Sequence, residues 1–119
     1  MGIKSYKDLL VWQKSIVLVK EVYQRTGKFP ASETCGLSSQ MRRAAISIPS
    51  NIAEGYKRRN LGEYIQFLSI AGASAAELET QIIISKELYE NINFSVPENL
   101  LLEIQKMLSV IIKKLAAKR

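Results

Sequence analysis

The stretch from Asn60 to Tyr89 contains no proline, and its apolar residues return at steps of three and four. Leu61, Tyr64 or Ile65, Leu68, Ala71, Ala75, Leu78, Ile82 and Tyr89 fall on one helical face. A helix of this length within 119 residues leaves few architectures open. Asn60, with Glu63 three residues on, outlines a capping box at its start. At its centre "AGASAA", Ala71–Ala76, is nearly bare of side chains. Gly72 costs about 1 kcal/mol against Ala in a helix interior. Close approach of a neighbouring helix would offset that, and "RRAAIS" in the preceding run offers a matching small surface.

Three further runs carry the same period. The first opens on Ser5 and Asp8 as a capping pair and continues through Leu9, Trp12, Ile16, Val19, Tyr23 and Thr26 until Gly27 and Pro30 stop it. On that stripe Trp12 reads as a core anchor. The second begins near Ser32 and is well patterned from Leu37. Its apolar arc is Leu37, Met41, Ala44, Ala45, Ile48 and Ile52. Pro49 removes a backbone donor and predicts a kink, and Gly55 predicts the end of the helix. The fourth run takes Ser95 and Glu98 as its caps, with Pro97 in the first turn, where a missing N–H does no harm. Leu101, Ile104, Leu108, Ile111 and Leu115 form its seam. Leu102, Val110 and Ile112 lie off it, a surplus that predicts self-association. The expected fold is all-α: a single domain, 1–119, built as an antiparallel up-down-up-down four-helix bundle with its second helix kinked at Pro49.

Composition removes most catalytic chemistries. The chain has no histidine, which excludes Ser-His-Asp and Cys-His nucleophiles, imidazole metal sites and Glu-x-x-His di-iron bundles. Cys35 is the single cysteine, so neither an internal disulfide nor a thiolate zinc site can form. Asp8 is the single aspartate, too few for an EF-hand. No cofactor and no enzymatic activity are expected. The N-terminal "MGIKSYKDLL" lacks the apolar core of a signal peptide, and no apolar run reads as long enough to span a membrane. A cytoplasmic protein without membrane contact is the expectation.

Two groups of polar residues remain to be explained. Gln40, Arg43, Ser47, Asn51 and Glu54 form a polar stripe beside the arc of the second run. They are expected to face Ser74, Glu77 and Gln81 on the third. Glu54 and Glu77 could be read as paired catalytic carboxylates. The favoured alternative is a structural network in which Arg43 neutralises the glutamates and Ser47, Asn51 and Gln81 complete the hydrogen bonding. Glu87 and Glu90 form a lone acidic pair, short of the two pairs that a helical pyrophosphatase needs. The second group is basic. Seventeen Lys and Arg against eleven acids give a formal net charge of +6, which favours an anionic partner. Lys57, Arg58 and Arg59 follow the second helix, and Lys113, Lys114, Lys118 and Arg119 close the fourth. These seven are the candidate nucleic-acid contacts, with Tyr56 beside them able to stack on a base or to pack over the turn.

The segments "YKDLLVWQKS", "FPASETCGLSSQMRRAAISIPSNIAEGYKR" and "EYIQFLSIAGASAAELETQ" resemble the 23S rRNA intervening-sequence four-helix-bundle family over roughly residues 6 to 90. "QMRRAAISIPSNIAEG" is the most specific of these matches. That resemblance implies small bacterial proteins, encoded within insertions in 23S rRNA genes, that form homopentameric rings. It also implies a fold similar to the basic pentameric accessory proteins of diversity-generating retroelements, which engage a reverse transcriptase and nucleic acid. The expected function is a non-enzymatic, homo-oligomeric accessory protein, pentameric, that binds RNA or DNA. The alternative is a scaffold that recruits a partner enzyme such as a reverse transcriptase, its charge incidental.

Overall fold

A computed structural model describes residues 2–119. The helices among them are α1 (Leu10–Thr26), α2 (Leu37–Tyr56), α3 (Leu61–Leu88) and α4 (Ser95–Ala116), with short 3-10 turns at Tyr6–Asp8 and Ala31–Glu33. α1 packs on α2 and α4, and α3 packs on the same two helices. Among the described residues the diagonal pairs stay apart. The result is an antiparallel four-helix bundle measuring 46 × 25 × 19 Å. At about 1.5 Å of rise per residue, the 28 residues of α3 span nearly the whole long axis.

α2 and α3 form the tightest pair. The expected arc of α2 is buried from Met41 to Ile52, with Leu37 partly covered. Facing it, Ala71, Ser74, Ala75, Leu78 and Ile82 are buried on α3. Pro49 is accommodated inside an unbroken α2, which continues to Tyr56. Gly55 therefore does not end the helix. A methyl group there would sit 2.7 Å from Cβ of Phe67 and 3.1 Å from the ring of Tyr64, so the bare backbone lets α3 pass. Gly72 has the opposite surroundings: nothing lies within 4 Å of where its Cβ would be. The close packing expected at Gly72 falls on Ala71 and Ala75 instead, because the glycine is turned to the side of α3.

The seam of α1 also differs from the expected stripe. Val11, Ser15, Leu18, Val22 and Thr26 are buried, while Ile16 and Tyr23 are 43% and 40% exposed. α1 is apolar on most sides, so two stripes of equal period compete. The polar members of the true seam are satisfied within the helix: Ser15 Oγ donates to the Trp12 carbonyl at 2.7 Å and Thr26 Oγ1 to that of Val22 at 2.8 Å. The Ser5–Asp8 capping box forms, but it caps the 3-10 turn ahead of α1.

α3 begins as expected, Asn60 Oδ1 accepting from the Glu63 amide at 2.8 Å. Contrary to expectation, it is long and apolar enough by composition to cross a membrane, with a window of mean hydropathy 1.2. Leu68, Leu78 and Ile82 are nonetheless fully inside the bundle core. At the start of α4 the N-cap is Phe94 rather than Ser95 and no side chain caps the helix, while Asn93 Oδ1 accepts from the Ser95 amide at 2.8 Å. Glu98 instead pairs with Lys86 at 3.0 Å. Leu101, Ile104 and Leu108 are buried and Ile111 and Leu115 partly so, whereas Leu102 and Val110 are each 49% exposed.

Candidate nucleic-acid interface

The chain direction decides which charges meet. α1 starts, α2 ends, α3 starts and α4 ends at one end of the bundle, so segments distant in sequence converge there. Lys57 and Arg59 lie exposed in the turn between α2 and α3. Lys113 and Lys114 occupy the last turn of α4, where cations suit the negative end of the helix dipole. Lys118 and Arg119 follow. The Arg119 guanidinium closes over Gly62 in the first turn of α3, where an added methyl would lie 2.9 Å from Nη2. Arg119 thus brings the end of α4 against the first turn of α3, at the end of the bundle that also carries the Lys57–Arg59 turn.

Arg58 is partly committed elsewhere. Its guanidinium sits 4.6 Å from the centre of the Phe67 ring and 3.9 Å from the Glu63 carboxylate. It supports the turn while its side chain stays exposed. Tyr56 is likewise engaged, packed edge-on between Tyr6 at 6.5 Å and Tyr64 at 6.0 Å. Burial, and then the neighbouring Tyr56, push the Tyr64 phenol above its ordinary pKa. Tyr6 also packs on Trp12 at 5.5 Å. This contact, with the Ser5–Asp8 box, carries Lys4 and Lys7 to the same end as the turn. Sequence reasoning missed these two lysines, and the capping box was the signal available. The acids nearest them are Asp8, Glu54 and Glu63. Asp8 is occupied by the backbone amides of Lys4 and Ser5, and Glu63 by Asn60 and Arg58.

The polar stripe is only partly assembled. Ser47 Oγ meets Ser74 Oγ at 2.8 Å, and Asn51 Nδ2 donates to Ser47 Oγ at 2.9 Å and to its carbonyl at 2.8 Å. This small network joins α2 to α3. Gln81 Nε2 donates to Glu77 at 3.3 Å, leaving Gln81 Oε1 buried without a partner. Arg43, Glu54 and Glu77 are exposed. Arg43 forms no ion pair among the described residues. The expected neutralisation of glutamates by Arg43 is thus absent among the described residues, the arginine lying exposed on the cleft between α1 and α2. No group of His, Cys, Asp and Glu that could hold a metal ion occurs among the described residues.

Fold and surface together define a small basic four-helix bundle with its positive charge gathered at one end. The chain belongs to the 23S rRNA-intervening sequence protein family, whose model matches residues 7–112 and so includes most of α4. It is similar to a solved protein of unknown function from the S23 ribosomal protein family of Bacteroides thetaiotaomicron VPI-5482. The two are 26% identical with a TM-score of 0.69, covering 87% of this chain and 99% of that one. Among curated proteins none matches.

Proposed function

We propose that the protein is a non-enzymatic, homo-oligomeric accessory protein of the cytoplasm that binds RNA or DNA through the basic end of its bundle. What supports this reading is that Lys57, Arg59, Lys118 and Arg119 belong to the same end of the bundle, together with Lys4, Lys7, Lys113 and Lys114. Such a cluster contacts phosphates and carries little sequence information. Self-association accords with the apolar surface left open on opposite sides of the bundle. Ile16 and Ile46 flank a groove between α1 and α2, and Ile83 and Leu102 flank one between α3 and α4. Two unlike faces on opposite sides suit head-to-tail contacts, which close into a ring when the rotation permits. Five subunits are the number that the family resemblance suggests.

The test combines solution mass with salt-dependent binding. The parent should exceed the 13.4 kDa of one chain. Its log K should fall with log salt by about 0.9 per phosphate contact on duplex DNA and about 0.7 on single strands. Replacing Lys57, Arg59 and Lys118 with Ala should flatten the slope by about two to three contacts per engaged subunit. Arg58 is left in place because it covers Phe67. An unchanged slope would move the reading to a scaffold that recruits a partner enzyme such as a reverse transcriptase, which the open α1/α2 groove would serve.

A further inference from the structure

A cavity of about 630 Å³ lies at the end of the bundle opposite the basic cluster. It opens between the last turn of α1, the loop after it and the first turns of α2. Arg42 and Arg43 both line it, together with Thr34, Ser38 and Ser39, of which Thr34 and Ser38 donate their hydroxyls to the Ala31 and Thr26 carbonyls. Arg42 is half-buried and held in place. Its guanidinium stacks 4.4 Å from the centre of the Tyr23 ring. Nε donates to Thr26 Oγ1 at 2.8 Å and Nη2 to the Tyr23 carbonyl at 3.4 Å. Among the described residues no hydrogen bond engages Nη1. No Asp or Glu lines the cavity, and among the described residues neither arginine has an ion pair. Glu33, next to the lining, is occupied by the Tyr89 hydroxyl and the Leu37 amide.

A half-buried guanidinium without a counter-anion is costly. A preformed one beside a second positive charge is complementary to a dianion, which guanidinium forks bind in bidentate fashion. Inorganic phosphate alone would leave most of this volume empty, whereas sites of about 300–1,000 Å³ are usual for small organic ligands. Phe29, Pro30 and Ile46 supply apolar wall for the remainder. We propose that this cavity binds a phosphomonoester carried on a body of nucleoside size, either a free nucleotide or the phosphorylated end of a strand. It uses none of the residues of the basic end and stands independently of the function proposed above.

Calorimetric titration of the full chain with AMP, adenosine and inorganic phosphate tests this. AMP should bind at least about tenfold tighter than either fragment, a difference of about 1.4 kcal/mol. Arg43→Ala, at an exposed position, should keep the parent melting temperature and lose about tenfold in AMP affinity. Arg42→Lys keeps the charge but not the fork and should lose a similar factor. Replacing Lys57 and Arg59 should leave AMP binding unchanged, which separates this site from the basic end. Competition by a 5′-phosphorylated oligonucleotide, absent for its 5′-hydroxyl form, would identify a strand end as the source. Lack of competition by both would identify the free nucleotide. Equal affinity for AMP and adenosine, or an Arg43→Ala protein that binds AMP like the parent, would overturn the proposal. So would absent AMP binding with a mass altered by Arg43→Ala, since a carboxylate of a second copy would then fill the cavity.

Discussion

The inner and outer sides of α3 are built from similar residues and do opposite things. Inward, Ala71 and Ala75 are buried, as are Ala44 and Ala45 of α2, and Gly55 lets the two backbones approach where Phe67 crosses. Outward, Gly72 faces open space, while Ile70, Ile83, Ile84 and Leu88 are 42% to 59% exposed. Only 33% of the most apolar window of α3 is buried within one chain. Small and apolar residues thus complete one interface and leave another uncovered. Helix packing is finished on the inside and unfinished on the outside.

The sharpest way to break this contrast is a single methyl group on each side. Gly55→Ala would place its Cβ 2.7 Å from Cβ of Phe67, an atom tied closely to the backbone of α3. Overpacking of this kind costs about 1–3 kcal/mol, more than the roughly 1 kcal/mol that Ala gains over Gly in a helix. A lowered melting temperature is therefore expected. An unchanged or raised value would mean that the α2–α3 contact is looser than its geometry.

Gly72→Ala should act in the other direction. Its Cβ meets nothing within 4 Å, so the helix-propensity gain of up to about 1 kcal/mol should appear in full. Chemical denaturation of the isolated chain would read that gain. If the outer side of α3 is covered in an assembly, the same substitution should instead reduce the mass measured at low concentration. The two readouts separate the stability of the fold from the closure of the assembly.

How much of this was legible beforehand depended on how cleanly polar and apolar residues separate. α2 was read nearly correctly because its arc and its polar stripe share no positions. The expected seam of α1 differs from the observed one because Trp12, Ile16, Val19 and Tyr23 make a competing stripe, and only tertiary packing chooses Val11, Leu18 and Val22. Gly55 and Gly72 exchanged roles for a related reason: a glycine states that a side chain is missing, not which neighbour needs the room. The basic end was visible as two separate clusters, but their union depends on where α4 stops relative to the α2–α3 turn. Arg43 was assigned inward from its spacing alone. Ser47 and Asn51 on the same stripe do face α3, whereas the Arg43 side chain one turn earlier lies exposed.

The smallest expected effect concerns the far end of the bundle, where Tyr89 packs 4.8 Å from the Phe29 ring and donates its hydroxyl to Glu33. That hydrogen bond raises the Tyr89 phenol above its ordinary pKa, with burial and the glutamate charge adding in the same direction. The sign follows from proton counting. Between the ordinary tyrosine value of about 10 and the raised folded one, the folded chain keeps a proton that the unfolded chain releases. The stabilisation from this contact is therefore whole below about pH 10 and is lost as pH rises through the folded value. In a titration of tyrosinate absorbance, Tyr64 and Tyr89 should ionise above the ordinary tyrosine value of about 10. Tyr89→Phe should remove one of the two late phenols and leave the other, since Tyr64 owes its shift to burial and Tyr56 at the opposite end. A late step of undiminished amplitude in Tyr89→Phe would show that the Glu33 hydrogen bond does not hold the proton in solution, and that this end is more open than the α2–α3 interior.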